Sequence, residues 1–148
     1  MIEFKSMSVE SAGARMLLNE LNTTLISIIG HNGTKYVHYE EFAEERAVFI
    51  IGYVDGEPMC CAGLRRADDT TAEIKRVFAR KNKIGLATML MAEMERIARE
   101  YGYTRVLLEC RDRNTHAVEF YHRVGYTECA KYGVFVNEDD AVCMDKYL

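Results

Sequence analysis

Proline is nearly absent. Pro58 is the one proline in 148 residues, and neither a low-complexity segment nor an internal repeat is visible, so no stretch reads as a linker. One domain spanning residues 1–148 is expected, long enough to bury a real core. No apolar run is long enough to cross a bilayer, which argues against a membrane partner. The first residues, Met1-Ile2-Glu3-Phe4-Lys5, lack the basic-then-apolar pattern of a secretion signal. Excess positive charge is also missing: 19 Lys and Arg against 23 Asp and Glu leave −4, which argues against nucleic acid held by bulk electrostatics. The cysteines, Cys60, Cys61, Cys110, Cys129 and Cys143, are odd in number and form no Cys-x-x-Cys pair. That argues against a disulfide framework and against a zinc site, so no metal is expected. Most of them sit in apolar runs, where a free cysteine acts as a small hydrophobe. A reduced, cytoplasmic protein is the expectation.

What is present alternates between strand and helix patterns. Residues 2–7 read as a short edge strand. Ser8 or Ser11 is placed to cap a helix carrying Ala14, Leu17, Leu18, Leu21 and Leu25 and stopping near Gly30. Residues 31–45 are polar, with one short helical turn at 40–44. Strands at 47–54 and 59–64 flank Asp55-Gly56, a two-residue hairpin signal, and 71–79 is a third strand. An apolar stripe through Met89, Leu90, Met94, Ile97 and Ala98 predicts a helix from Thr88 to Tyr101, stopped at Gly102. A strand at 105–110 follows, then a helix capped by Asn114 and stopped by Gly125, then strands at 126–130 and 141–147. This order predicts an α/β fold: a mixed sheet with helices on both faces.

The most informative stretch runs from Ala72 to Thr88. An apolar strand enters a basic turn carrying Arg80, Lys81 and Lys83, and the turn ends at Gly85 and Ala87, where a helix begins. The first turn of a helix has unpaired N–H groups and the positive end of its dipole, so small residues there make an anion seat. In isolation, a glycine and an alanine before a helix also read as simple punctuation.

The rest of the chain carries a family pattern. Asn82-Lys83-Ile84-Gly85-Leu86-Ala87 resembles the phosphate loop of the GNAT acetyltransferases: Arg or Gln, two residues, Gly, one residue, then Gly or Ala. Asn114, Ala117, Tyr121 and Gly125-Tyr126 match the later signature of that family. Cys61, Leu64 and Arg65, Ala72 through Arg76, and Ala141 through Lys146 resemble segments of its small bacterial-type members. Asn82 departs from the usual Arg or Gln, and the turn before Gly85 is shorter than the common form.

The resemblance implies the acyl-CoA N-acyltransferase fold, a mostly antiparallel sheet with a central parallel strand pair. It implies acetyl-CoA as cosubstrate and an N-acetyltransferase acting on the amine of a small molecule, without a covalent acetyl-enzyme; the basic residues Arg65, Lys75 and Arg76 would suit an acceptor that carries an anion, an amino acid or another anionic amine among the options. Glu73 would be the general base, and Tyr121 the acid that protonates the departing thiolate. Val77, Phe78 and Ala79 would pair through their backbone with the pantetheine arm, and one of their N–H groups could hold an oxyanion. Arg80, Asn82, Lys83, Ile84, Gly85, Leu86, Ala87, Thr88 and Asn114 complete the cosubstrate site, with Tyr121 beside it. Arg65, Glu73, Lys75 and Arg76 would face the acceptor.

Plainer readings stand beside these. Glu73 also reads as a solvent-facing strand residue paired with Lys75 or Arg76, Tyr121 as a packing residue, and the basic residues as surface charge. Strand alternation sends Lys75 and Arg76 to opposite faces unless a bulge intervenes. A non-catalytic acyl-CoA-binding or sensing module is the alternative function. A homodimer is left open.

Overall fold

Met1 to Leu148 are described by a computed structural model. Seven strands form one sheet: β1 (Ile2–Ser6), β2 (Val48–Val54), β3 (Glu57–Arg66), β4 (Thr71–Ala79), β5 (Arg105–Arg111), β6 (Thr127–Glu128) and β7 (Ala141–Tyr147). Their spatial order is β1-β2-β3-β4-β5-β7-β6, and β4–β5 is the one parallel pair. The helices are α1 (Ala12–Ile29), α2 (Leu86–Glu100) and α3 (Thr115–Arg123). This is the mixed α/β architecture that the sequence predicts.

Period-two patterning distributes the core. Phe49, Ile51 and Cys61 face α1, whose Ala14, Leu17, Leu18 and Leu21 pack on them. Ile50, Ala62 and Leu64 point the other way, into the main core with Leu90, Met91 and Met94 of α2. Ser11 caps α1 by accepting from the Ala14 N–H, and Gly30 ends it at φ +86°. Asp55 and Gly56 both have positive φ, the conformation that a tight hairpin turn requires.

One irregularity organises the site. Between Cys61 and Gly63 of β3 lies one residue, but between their partners Phe78 and Lys75 lie two. The extra residue makes a bulge at Arg76, which is held at φ +59°. A side chain with a Cβ adopts that conformation only when its surroundings hold it. Arg76 donates from Nη1 to Asn22 Oδ1 and from Nη2 to the Asn32 carbonyl, both at 2.7 Å. On the other side, β4 pairs with β5 only at Thr71–Glu73 against Arg105–Leu107, so the bulge lies in the unpaired part of that edge. Beyond Glu73 the two strands diverge.

Three boundaries differ from the sequence reading. Helix α2 starts at Leu86 rather than Thr88, because Asn82 Oδ1 accepts from the Leu86 N–H at 3.0 Å and supports an earlier turn. Strand β6 is only two residues, because the Tyr126 N–H is taken by the Tyr121 carbonyl at the end of α3. Short 3-10 turns occur at Thr34–Tyr36, Tyr39–Ala43 and Gly133–Phe135; only the middle one has a counterpart in the sequence reading.

Candidate functional site

A cavity opens where β4 and β5 part. Leu21, Leu25 and Ile29 of α1 line one wall, and Cys110, Ala117 and Tyr121 line the far side. Glu73, Lys75, Arg76 and Val77 of β4 face Glu109 and Arg111 of β5 across the gap. The bulge is why both Lys75 and Arg76 reach the cavity, despite being adjacent in the strand.

Glu73 is not solvent-facing. It is 3% exposed, and its Oε1 accepts from Arg65 Nη1 at 2.8 Å while Oε2 accepts from the Tyr132 hydroxyl at 2.6 Å. Burial and the neighbouring Glu73 push the Tyr132 phenol far above its ordinary range, so it stays protonated and keeps donating. Lys75 Nζ lies 3.8 Å from Glu73 Oε2 and donates to the Tyr36 carbonyl at 2.5 Å. Burial lowers the Lys75 ammonium, against the pull of Glu73.

Glu109 is different. Burial raises its carboxyl from 4.5 to about 7, against the opposing pull of Arg111 and Lys75, with Glu73 and Asp140 pushing the same way as burial. Its Oε2 lies 2.7 Å from Arg111 Nε, yet the N–H is not aimed at it, so the contact is an ion pair without a hydrogen bond. A carboxyl poised near 7 is suited to taking a proton at neutral pH.

Tyr121 is 8% exposed, and burial pushes its phenol well above its usual range. Asn114 caps α3 by accepting from the Ala117 N–H at 3.4 Å and also lines the cavity.

The loop before α2 has its own logic. Asn82 Oδ1 accepts from the N–H of Ile84 at 3.1 Å and of Leu86 at 3.0 Å, and Nδ2 donates to the Arg80 carbonyl at 2.8 Å. The N–H groups of Gly85, Ala87 and Thr88 have no partner in the protein, and Gly85 sits at φ +73° with open space beside it. These three groups fit a phosphate. Removing the Asn82 carboxamide in Asn82→Ala is expected to lower stability by about 1 kcal/mol, the worth of a helix cap, read from urea unfolding.

Not every residue singled out in the sequence reaches these sites. Arg80 forms ion pairs with Glu20 at 2.6 Å and Glu57 at 3.0 Å, and is spent on α1 and β3 rather than free beside the helix start. Lys81 and Lys83 are exposed in the loop. Arg65 is bound between Glu41 and Glu73 and does not line the cavity. Phe78 and Ala79 pair with β3, Val77 falls in the bulge, and none of the three has a β5 partner, so that edge is open. The sequence reading missed Glu109, Arg111, Tyr132, Tyr36 and Phe135. Glu109 alone left a signal, a carboxylate inside the apolar strand Val106-Leu107-Leu108-Glu109-Cys110.

The family profile of the acetyltransferase (GNAT) family matches residues 15–126, which takes in the loop and all of the cavity lining but Phe135. The chain belongs to the acetyltransferase (GNAT) family. Solved structures agree on the fold of this GNAT protein. A Klebsiella pneumoniae protein assigned as an acyl-CoA N-acyltransferase superposes with a TM-score of 0.83 at 18% identity, covering 100% of this chain and 98% of that one. The PaiA N-acetyltransferase of Thermoplasma acidophilum, solved with coenzyme A, gives 0.79 at 17% identity, covering 100% and 99%. A GNAT acetyltransferase of Elizabethkingia anophelis with acetyl-CoA bound gives 0.74 at 13% identity, covering 99% and 98%. No helix of this GNAT chain is long and apolar enough to cross a membrane.

Proposed function

We propose that this GNAT protein is an acetyl-CoA-dependent N-acetyltransferase that acetylates the primary amine of a small molecule by direct transfer in a ternary complex. The observation that carries the reading is the split between β4 and β5. It sets a poised carboxylate and a buried phenol in one cavity at the open edge of β4, and the loop after β4 leads to a helix start with free N–H groups. The acetyl-CoA and coenzyme A bound in the similar folds support the cosubstrate.

The thioester supplies the acetyl group; the chain's residues position and move protons. Gly85, Ala87 and Thr88 hold a phosphate with their N–H groups, and the free edge at Val77–Ala79 pairs with an extended arm. Glu109 takes a proton from the acceptor ammonium. Tyr121 donates to the sulfur as the C–S bond breaks and the N–C bond forms. Of the two protons that the ammonium gives up, one leaves through Glu109 to solvent and the other ends on the thiol. Glu73, with both oxygens already accepting from Arg65 and Tyr132, holds Lys75 and Tyr132 in place. The five cysteines are unpaired, which supports a reducing compartment and a cytoplasmic location.

The test begins with binding. Acetyl-CoA at about a hundredfold its dissociation constant should add about 2.7 kcal/mol, a clear rise in melting temperature. Gly85→Glu places bulk and negative charge at the loop and should abolish the rise. Thiol release across a panel of amines then separates the enzyme from a non-catalytic acyl-CoA-binding module, which would show the rise and no release. No rise at millimolar acetyl-CoA would overturn the cosubstrate itself.

A further inference from the structure

Two buried side-chain atoms lack a hydrogen-bond partner, Glu109 Oε2 and Arg111 Nη2. They belong to residues two apart on one face of β5, and both residues line the cavity. Buried polar atoms in folded proteins are nearly always partnered, and an orphan of each sign in one place calls for a ligand.

The other cations around the cavity are taken. Arg76 donates to Asn22 and Asn32, Lys75 to the Tyr36 carbonyl, and Arg65 to Glu41 and Glu73. Arg111 is 5% exposed, gives Nη1 to Asp140 at 2.7 Å, and lies under the rings of Tyr36 at 4.9 Å and Phe135 at 5.7 Å. Its second arm has nothing to hold.

We propose that Glu109 and Arg111 read the two charges of a zwitterionic acceptor, so that the amine acetylated is that of a free α-amino acid with an apolar side chain. The proposal rests on the transferase reading above. The carboxylate takes Arg111 Nη2, and the ammonium donates to Glu109, which then accepts its proton. Proximity selects the class: Glu109 and Arg111 are two apart on one face of β5 and already touch through Oε2 and Nε at 2.7 Å, so a ligand that meets both must carry its opposite charges close together, as they are across one carbon. A long diamine or an extended peptide separates its charges too far. The wall of Leu21, Leu25 and Ile29 sets the side-chain preference.

The experiment compares leucine with leucinamide and isopentylamine, which keep the amine and lose the carboxylate. Wild-type kcat/KM should favour leucine by at least about 10²-fold, because a site built for a polar group rejects the analogue lacking it. Arg111→Gln should reduce that preference to below about tenfold, and Arg111→Lys should fall between. Calorimetry on the wild-type protein with coenzyme A present gives a second readout, in which leucine binds and isopentylamine does not. It stands even if Arg111→Gln fails to fold. Equal turnover of leucine and isopentylamine would overturn the zwitterion seat and leave the transferase standing. Leucine binding that depends on Arg111, with no acetylation of any amine, would support the seat and overturn the transferase. If leucine, methionine and phenylalanine neither bind nor react, the seat is overturned.

Discussion

At pH 8, Glu109→Gln is expected to transfer acetyl groups about 10²- to 10⁴-fold more slowly than the wild type, the usual loss when a general base is removed. Glu73→Gln should lose far less. The two carboxylates differ in environment. Glu73 has a hydrogen bond to each oxygen, one from the Arg65 guanidinium and one from the Tyr132 hydroxyl. Glu109 is desolvated and has an oxygen without a hydrogen bond, so its charged form is disfavoured and its carboxyl sits at about 7. An alkyl ammonium has a reference pKa of about 10.4, so the rise at Glu109 narrows the proton-transfer gap by about 3 kcal/mol compared with an ordinary carboxylate. The wild-type rate should climb as pH rises through about 7 and then level off, and Glu109→Gln should lose that inflection. A flat profile in Glu73→Gln, with the inflection kept in Glu109→Gln, would return the base to Glu73.

The same shift has a stability signature. The folded carboxyl titrates near 7 and the unfolded one near 4.5, so between these values the folded protein holds a proton that the unfolded chain has lost. Stability from this group is therefore full below about pH 4.5 and declines as pH rises through about 7, by up to about 3 kcal/mol in all. Urea midpoints of the wild type and Glu109→Gln should diverge over that window, with the wild type losing ground as pH rises. Midpoints that run parallel would mean that Glu109 is ionised throughout.

The elements were legible because each rests on local chemistry. Ser11 and Gly30 bound α1, Asp55-Gly56 turns the hairpin, and alternation along β2 and β3 divides the two cores. The family was legible in the spacing of Gly85, Ala87, Asn114, Tyr121 and Gly125. Glu73, Lys75 and Arg76 of the cavity were singled out too, but their partners were not legible, because the cavity is assembled over long sequence distances. Tyr132 meets Glu73 across 59 positions, and Arg111 lies under Tyr36 and Phe135 from two separate 3-10 turns. Nor does alternation foresee the bulge at Arg76. It depends on Asn22 and Asn32, which receive the guanidinium, and neither carries a strand signal. That bulge brings both Lys75 and Arg76 to the cavity wall, just beyond the point where β4 and β5 stop pairing.

Tyr121→Phe is expected to slow turnover by about 10²-fold while acetyl-CoA binding changes little. The phenylalanine keeps the ring, which packs against Phe120 at 5.3 Å and Tyr126 at 6.0 Å, so the fold and the cavity wall are preserved. What is lost is the proton on the sulfur side. The low end of the general-acid range is the right expectation, for a physical reason. Burial pushes the Tyr121 phenol well above its ordinary range, while a thiol has a reference pKa of about 8.5, so full proton transfer to the thiolate runs uphill. A phenol so placed contributes mainly by donating a hydrogen bond as negative charge builds on sulfur, where the dry surroundings strengthen it. The loss should therefore shrink with a thioester whose thiol is more acidic, since that leaving group needs less help. Comparing the wild type and Tyr121→Phe on acetyl-CoA and on an acetyl thioester of a more acidic thiol gives the test. Wild-type turnover in Tyr121→Phe, with chemistry shown to be rate-limiting, would make Tyr121 a packing residue. A large loss that is the same for both thioesters would place its role in positioning the acceptor rather than in helping sulfur leave.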